Sequence, residues 1–209
     1  MVICGHDILR LRGATMLRVE DVARYFLVNQ DTEHGEPISH LKIQKLCYYA
    51  QGIALALLEK PLFFDDIEHW KHGPVVPTLY RTYRSYGDDP IPPPEDLDTR
   101  LYDQETVGLL DRVYQLYGQE TAWELRNKTH QEAPWINTPD GCPITHQEIR
   151  IYFQSLPFLF EDFGEPDLEA LKRFPENPQV MKDLKRGIEA FNSGQMVEWD
   201  DVKKELGIQ

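Results

Sequence analysis

The chain has 209 residues, of which 22 are Lys or Arg and 35 are Asp or Glu, so its formal net charge is −13 at pH 7. A hydrophobic fraction of 41% supports a folded core, and the acidic excess argues against broad nucleic-acid binding, because that binding depends on cations that neutralise phosphates. The longest apolar run, residues 53–58, is too short for a membrane span of roughly 20 residues. Three widely spaced cysteines without a C-x-x-C pair indicate a reducing compartment, so we expect a cytoplasmic protein.

The first part of the chain predicts two helices. Residues 1–15 are interpreted as an N-terminal extension, which leaves Met1 or Met16 as the native start. Apolar residues at helical spacing predict a helix over about Val19–Val28. Ser39 suits the N-cap of a long second helix, whose wide apolar stripe predicts that it is the central buried helix.

The middle of the chain predicts a short extended element. Side chains alternate in character over residues 67–72, and Gly73-Pro74 is interpreted as the turn that ends this segment. Pro77 suits the first position of the next helix, which ends near Gly87. The Pro-rich, acidic residues 91–98 predict an exposed loop.

Three further helices are predicted before the tail. One covers about Asp103–Tyr117, and a short one follows within residues 120–130. Residues 133–143 contain three prolines and a glycine and are therefore expected to be irregular. Thr145 and Glu148 form a capping box that starts the last of these helices.

The predicted fold class is mainly α: a compact helical domain over residues 16–156 with a short extended or β element. Residues 157–209 are predicted to be a helical C-terminal extension, which begins as an acidic, aromatic linker interrupted by prolines. This tail is either a helical cap on the domain or an arm that orders when it binds a partner.

The common enzymatic motifs, such as a phosphate-binding glycine loop or H-E-x-x-H, do not occur in the sequence. The strongest enzymatic candidate is a set formed by His69, His72 and His130 with Glu132. If these side chains converged, they could bind a divalent metal or transfer protons. The alternative is that the histidines cap turns and pack beside tryptophans. We expect no catalytic residue, metal or cofactor, and a metal-dependent enzyme remains an alternative.

A second candidate site is the tyrosine-rich helix. Tyr80, Tyr83 and Tyr86 alternate with Arg81 and Arg84, and such a set could stack on bases while the arginines hold phosphates. Spacings of three place the tyrosines on one face, part of which is better explained as core. Nucleic-acid binding is therefore expected at most as autoregulation.

Four spaced motifs lie between Met16 and Leu156. They are Leu41-Lys42-x-Gln44-Lys45-Leu46, Tyr48-Tyr49-Ala50-Gln51-Gly52, Trp70-Lys71-His72-Gly73-Pro74-Val75-Val76-Pro77, and Thr129-His130 with Pro134-Trp135. Together they resemble the motifs of the Panacea-domain family, also described as SocA-like or phage-associated proteins. Two small departures are Cys47, where an aliphatic residue is more usual, and Ile53-Ala54, where an aromatic–polar pair is.

The resemblance implies a mostly helical antitoxin that neutralises a protein toxin by direct binding, in a type II toxin–antitoxin system. The toxin would be encoded by the adjacent gene, and the acidic net charge favours a basic toxin. One branch of the family is a proteolytic adaptor that delivers its toxin to an ATP-dependent protease. A proteolytic adaptor or a transcriptional regulator is therefore the alternative. Because no apolar run is long enough to span a membrane, we expect no membrane association, and the oligomeric state stays open.

The predicted contact surface combines aromatic and cationic side chains, which are the usual anchors of protein interfaces. Its members are Trp70, Lys71, His72, Tyr80, Arg81, Arg84, Phe158, Phe160 and Trp199. Trp70 and Tyr83 have an alternative interpretation as core residues.

Overall fold

The computed structural model of the chain describes residues 16–31 and 36–159. Within these residues there are seven α-helices and one three-stranded sheet. The helices are α1 (Val19–Val28), α2 (His40–Leu57), α3 (Pro77–Tyr83), α4 (Gln104–Tyr117), α5 (Ala122–Thr129), α6 (Ala133–Asn137) and α7 (His146–Gln154). The strands are β1 (Ile67–Trp70), β2 (Gly73–Val75) and β3 (Pro143–Ile144), in the antiparallel order β2-β1-β3. The prediction of a mainly α fold with a short β element is confirmed.

The long helix α2 lies at the centre of the fold. The Ser39 hydroxyl accepts a hydrogen bond from the Lys42 backbone N–H at 3.4 Å, so the predicted N-cap is confirmed. Every residue from Lys42 to Ala56 is buried, and α2 packs against α1, α3, α4, α5 and α7. No helix within the described ranges is long and apolar enough to cross a membrane.

Buried polar side chains of α2 bind the backbone of the segments around it. Lys42 Nζ donates to the Glu36 carbonyl at 2.8 Å, and Lys45 Nζ donates to the Pro74 carbonyl at 2.8 Å. Gln51 accepts from the Leu62 N–H at 2.8 Å. Loops packed against a helix need partners for their buried backbone groups, and these side chains supply them.

The predicted turn at Gly73-Pro74 is wrong. Trp70 lies opposite Gly73 in the β1–β2 hairpin, so Lys71 and His72 form the turn and Gly73 begins β2. The φ angle of Gly73 is 96°, in the left-handed region that only glycine adopts without strain. A Cβ there would lie 2.6 Å from Thr129 Oγ1, which also excludes a larger residue.

The prediction that residues 133–143 are irregular is wrong in part. A five-residue helix, α6, occupies Ala133–Asn137, and β3 begins at Pro143. Pro134 lies in the first turn of α6, where its missing N–H breaks no helical hydrogen bond. The Thr145–Glu148 capping box of α7 is confirmed. The predicted N-terminal extension, and the tail residues Phe160 and Trp199, lie outside the described residues.

Candidate functional site

An exposed tryptophan on α5 lies beside the β1–β2 turn. The Trp123 side chain is 58% exposed, and the His72 ring meets it edge-on with the ring centroids 6.0 Å apart. The Arg126 guanidinium lies 5.9 Å from the Trp123 ring centroid, within the range of a cation–π interaction. Lys71, the other residue of the turn, is exposed. The surface formed by the β1–β2 turn and α5 therefore carries aromatic and cationic side chains next to one another.

A second tryptophan, Trp135 of α6, is surrounded by imidazoles. The His130 ring stacks on it at 3.9 Å between centroids and 9° between planes, and the His69 ring lies 4.2 Å away. Trp135 Nε1 donates to the Trp70 carbonyl at 3.1 Å. We name Trp123, His72, Arg126, His130 and Trp135 the indole–imidazole face.

The imidazole of His130 resists protonation. Burial, the largest cause, and the charges of Arg126 and Lys45 together lower its pKa to about 4. His130 is therefore neutral at pH 7. Its Nε2 atom is buried, as is Arg126 Nε, and neither has a hydrogen-bond partner within residues 16–31 and 36–159.

The predicted contact residues near the hairpin are partly exposed. Trp70 is half-buried; its Nε1 donates to Glu68 Oε2 at 2.7 Å and its ring lies 4.9 Å from Tyr80. Tyr80 and Tyr83 are also half-buried, whereas Arg81 and Arg84 are exposed. Trp70 and Tyr83 are thus partly packed against the domain and partly accessible to a partner.

The histidines of the metal hypothesis lie near one another, but they do not form a metal site with the glutamate. Glu132 is only 3% exposed, and its two carboxylate oxygens accept hydrogen bonds from the Tyr48 and Tyr49 hydroxyls, both at 2.8 Å. His69 and His130 contact Trp135 instead, as the alternative interpretation expected. No group of three or more His, Cys, Asp or Glu side chains in the described part of the chain could hold a metal ion.

Phe158 lies in a separate cleft of about 280 Å³. The cleft is lined by Leu116, Tyr117, Lys128, Glu132, Tyr152, Leu156 and Phe158. Burial raises the pKa of Glu132 above its ordinary value, although the two tyrosine hydrogen bonds act in the opposite direction. The cleft thus combines one deeply buried carboxyl group with aromatic walls.

Residues 43–136 match the model of the antitoxin SocA-like, Panacea domain. The chain therefore contains a region similar to the SocA-like Panacea domain. A curated relative, Antitoxin SocA of Caulobacter vibrioides, is 33% identical over 116 residues, which cover 50% of this chain and 62% of that protein. The match thus spans less than two thirds of the relative's length. No solved structure matches the chain significantly.

Most motif residues of this Panacea-like region are explained by folding. Lys42, Lys45 and Gln51 bind backbone groups, and Tyr48 and Tyr49 bind Glu132. Lys71 and His72 are exposed at the hairpin turn, so the fold alone does not account for them.

Sequence reasoning missed two members of this region, Trp123 and Arg126, and it named Trp135 as a motif residue but not as a contact. The spacing of Trp123, Arg126 and His130 places them along one side of α5 and its end, and this signal was readable. The approach of His72 to Trp123 was not readable, because it depends on how the hairpin packs against α5.

Proposed function

We propose that this protein is the antitoxin of a type II toxin–antitoxin pair and neutralises a protein toxin encoded by the adjacent gene. The observation that carries the proposal is the 33% identity to Antitoxin SocA. The Panacea-domain match, residues 43–136, includes the β1–β2 turn, α5 and Trp135. Neutralisation by binding requires no turnover, so we propose no enzymatic activity.

The indole–imidazole face is the proposed toxin contact on the domain. Trp123 offers a large exposed ring beside a guanidinium, and such Trp–Arg pairs commonly act as energetic anchors of interfaces. Lys71, Trp70 and Tyr80 extend this contact along the hairpin and α3. Two other predicted contacts, Phe160 and Trp199, belong to the tail, which we propose as a toxin-binding arm.

The net charge of −13 favours a basic toxin. Long-range attraction between opposite charges raises the association rate and helps to exclude acidic competitors. Association should therefore slow as the salt concentration rises.

Co-expression with the adjacent gene tests this function. Expression of that gene alone should arrest growth, and co-expression of this chain should restore growth and yield a complex that survives gel filtration. A harmless neighbour, or one that never co-purifies, contradicts the proposal. Toxin that disappears only when an ATP-dependent protease is present would instead favour the adaptor alternative.

A further inference from the structure

The cleft beside Glu132 contains a buried carboxyl group with unused hydrogen-bonding capacity. The Tyr48 and Tyr49 hydroxyls each donate to one carboxylate oxygen at 2.8 Å. A carboxylate offers about four acceptor positions, so two donors leave room for another. Glu132 makes no ion pair with any residue in the described part of the chain.

A buried carboxylate that makes no ion pair is costly, because burial removes the water that would stabilise its charge. The charges of Lys128 and Lys45 act on Glu132, but they are smaller causes than its burial. Burial accordingly raises the pKa of Glu132. A cation that entered the cleft would offset this cost and favour the ionised form. The site is therefore better matched to a positive group than to an anion or a neutral one.

The walls of the cleft also favour a cation. Tyr117, Tyr152 and Phe158 line it, and aromatic rings attract cations through their negative faces. Lys128 illustrates this preference: its Nζ lies 5.4 Å from the Tyr117 ring centroid. That ammonium group is paired with Glu120 at 2.5 Å, so its charge is already matched by a carboxylate other than Glu132.

The size of the cleft limits what can enter. A volume of about 280 Å³ lies at or below the lower end of small-molecule sites, which run from roughly 300 to 1,000 Å³. It is suited to one long side chain and is small for a nucleotide cofactor.

We infer that this cleft binds a Lys or Arg side chain of the toxin, which enters between Tyr152 and Phe158 and donates to Glu132. The inference rests on the proposed function and adds the chemistry of one contact. It agrees with the expectation of a basic toxin, and it assigns one contact between opposite charges to the Glu132 carboxylate.

The test measures the affinity of the purified toxin for the full chain and for three variants. Leu156→Lys introduces a lysine at the lining of the cleft and should weaken binding at least about tenfold, because its ammonium group competes for Glu132. Ile151→Lys adds the same charge at a side chain that is 60% exposed and outside the cleft, and it should bind like the parent. Glu132→Gln should weaken binding by a similar factor as Leu156→Lys.

Glu132→Gln also alters the hydrogen bonds of Tyr48 and Tyr49, so its thermal unfolding is measured in parallel. The Leu156→Lys and Ile151→Lys pair decides the question if Glu132→Gln fails to fold. Equal toxin affinity of both lysine variants overturns the inference and leaves the antitoxin function intact. A neighbouring gene product that neither arrests growth nor binds the parent chain overturns the function itself.

N-acetyl-arginine amide, titrated into the parent protein and Leu156→Lys, separates a toxin side chain from a free small cation. Weak, millimolar perturbation of aromatic NMR signals in the parent, absent in Leu156→Lys, supports a site that needs the rest of the toxin for affinity. Tight, micromolar binding would identify a small-molecule site and overturn the inference. Absence of any perturbation also counts against it.

Discussion

The Gln44 side chain forms a reciprocal pair of hydrogen bonds with the backbone of Val76. The Val76 N–H donates to Gln44 Oε1 at 2.8 Å, and Gln44 Nε2 donates to the Val76 carbonyl at 3.4 Å. Both residues are buried. One side chain of α2 thus supplies the partner of the Val76 N–H and a second donor to the Val76 carbonyl, which also accepts from the Tyr80 N–H, at the point where β2 leads into α3.

Gln44→Ala should destabilise the protein by about 1–3 kcal/mol, because it leaves the buried Val76 N–H without a partner, whereas the Val76 carbonyl keeps the hydrogen bond from the Tyr80 N–H at 2.9 Å. Gln44→Glu should also destabilise it, since a carboxylate cannot donate to the Val76 carbonyl and would be buried with its charge. Gln104→Ala, at the exposed first residue of α4, is the matched control. Urea unfolding measures all three, and similar losses for Gln44→Ala and Gln104→Ala would contradict the assignment.

A glycine in α2 allows the close approach of α7. A Cβ added to Gly52 would overlap the ring of Phe153, which is fully buried and also packs against Tyr48 and Tyr49. Because the ring is fully buried and contacts Tyr48 and Tyr49, moving it disturbs the core, and Gly52→Ala should destabilise by about 1–3 kcal/mol despite the better helix propensity of alanine.

Gly108→Ala in α4 is the control for Gly52→Ala, because a Cβ there meets no atom within 4 Å. It should stabilise the protein by about 0.5–1 kcal/mol through helix propensity alone. Thermal unfolding of the two variants should therefore shift in opposite directions. A shift in the same direction would show that the overlap at Gly52 is relieved at little cost.

Local patterns were sufficient to predict α1, the start of α2 at Ser39 and the start of α7 at Thr145. Each depends on apolar spacing or on a cap that contacts residues within one helical turn. The β1–β2 hairpin was not predictable in this way. The position of Gly73 is set by Lys45 and Thr129, which are distant in sequence.

The same distinction applies to the candidate sites. The sequence was sufficient to select Trp70, Lys71 and His72 as contacts, because an aromatic and a cationic residue stand side by side in this motif. Glu132 was assigned to a metal set because a neighbouring histidine suggested one. Its contacts with Tyr48 and Tyr49, more than 80 positions away, are tertiary and leave no local pattern.

Lys45 should make stability depend on pH near neutrality. Its ammonium group is fully buried, and burial lowers its pKa to about 7, with Arg126 acting in the same direction and Glu132 opposing. The unfolded chain keeps this proton up to about pH 10.4, so protonation favours the unfolded state wherever the native state has lost the proton. Raising the pH from 7.0 to 8.5 should therefore increase the free energy of unfolding by about 1–2 kcal/mol.

Lys45→Met removes the titrating group, so its free energy of unfolding should lack this rise relative to the parent. Lys60→Met, at an exposed lysine, should keep it. Urea unfolding at the two pH values provides the comparison, and the range stays below the pH at which tyrosines ionise. A rise of equal size in Lys45→Met and the parent would assign the pH dependence to another group.

Trp123 should contribute strongly to toxin affinity without contributing much to folding. Its ring is 58% exposed and contacts His72 and Arg126, so truncation removes an anchor but opens no internal cavity. Trp123→Ala should weaken toxin binding by about 2 kcal/mol, roughly thirtyfold, and change the free energy of unfolding by less than about 1 kcal/mol.

Phe64→Ala is the matched control for Trp123→Ala, because Phe64 is another exposed aromatic residue, at 65% exposure, outside the indole–imidazole face. It should bind the toxin like the parent, since truncating it removes apolar area that is not part of the proposed contact. Isothermal titration with purified toxin measures both variants. Parent-like affinity of Trp123→Ala together with weak binding of Phe64→Ala would move the toxin contact to the segment between α2 and β1.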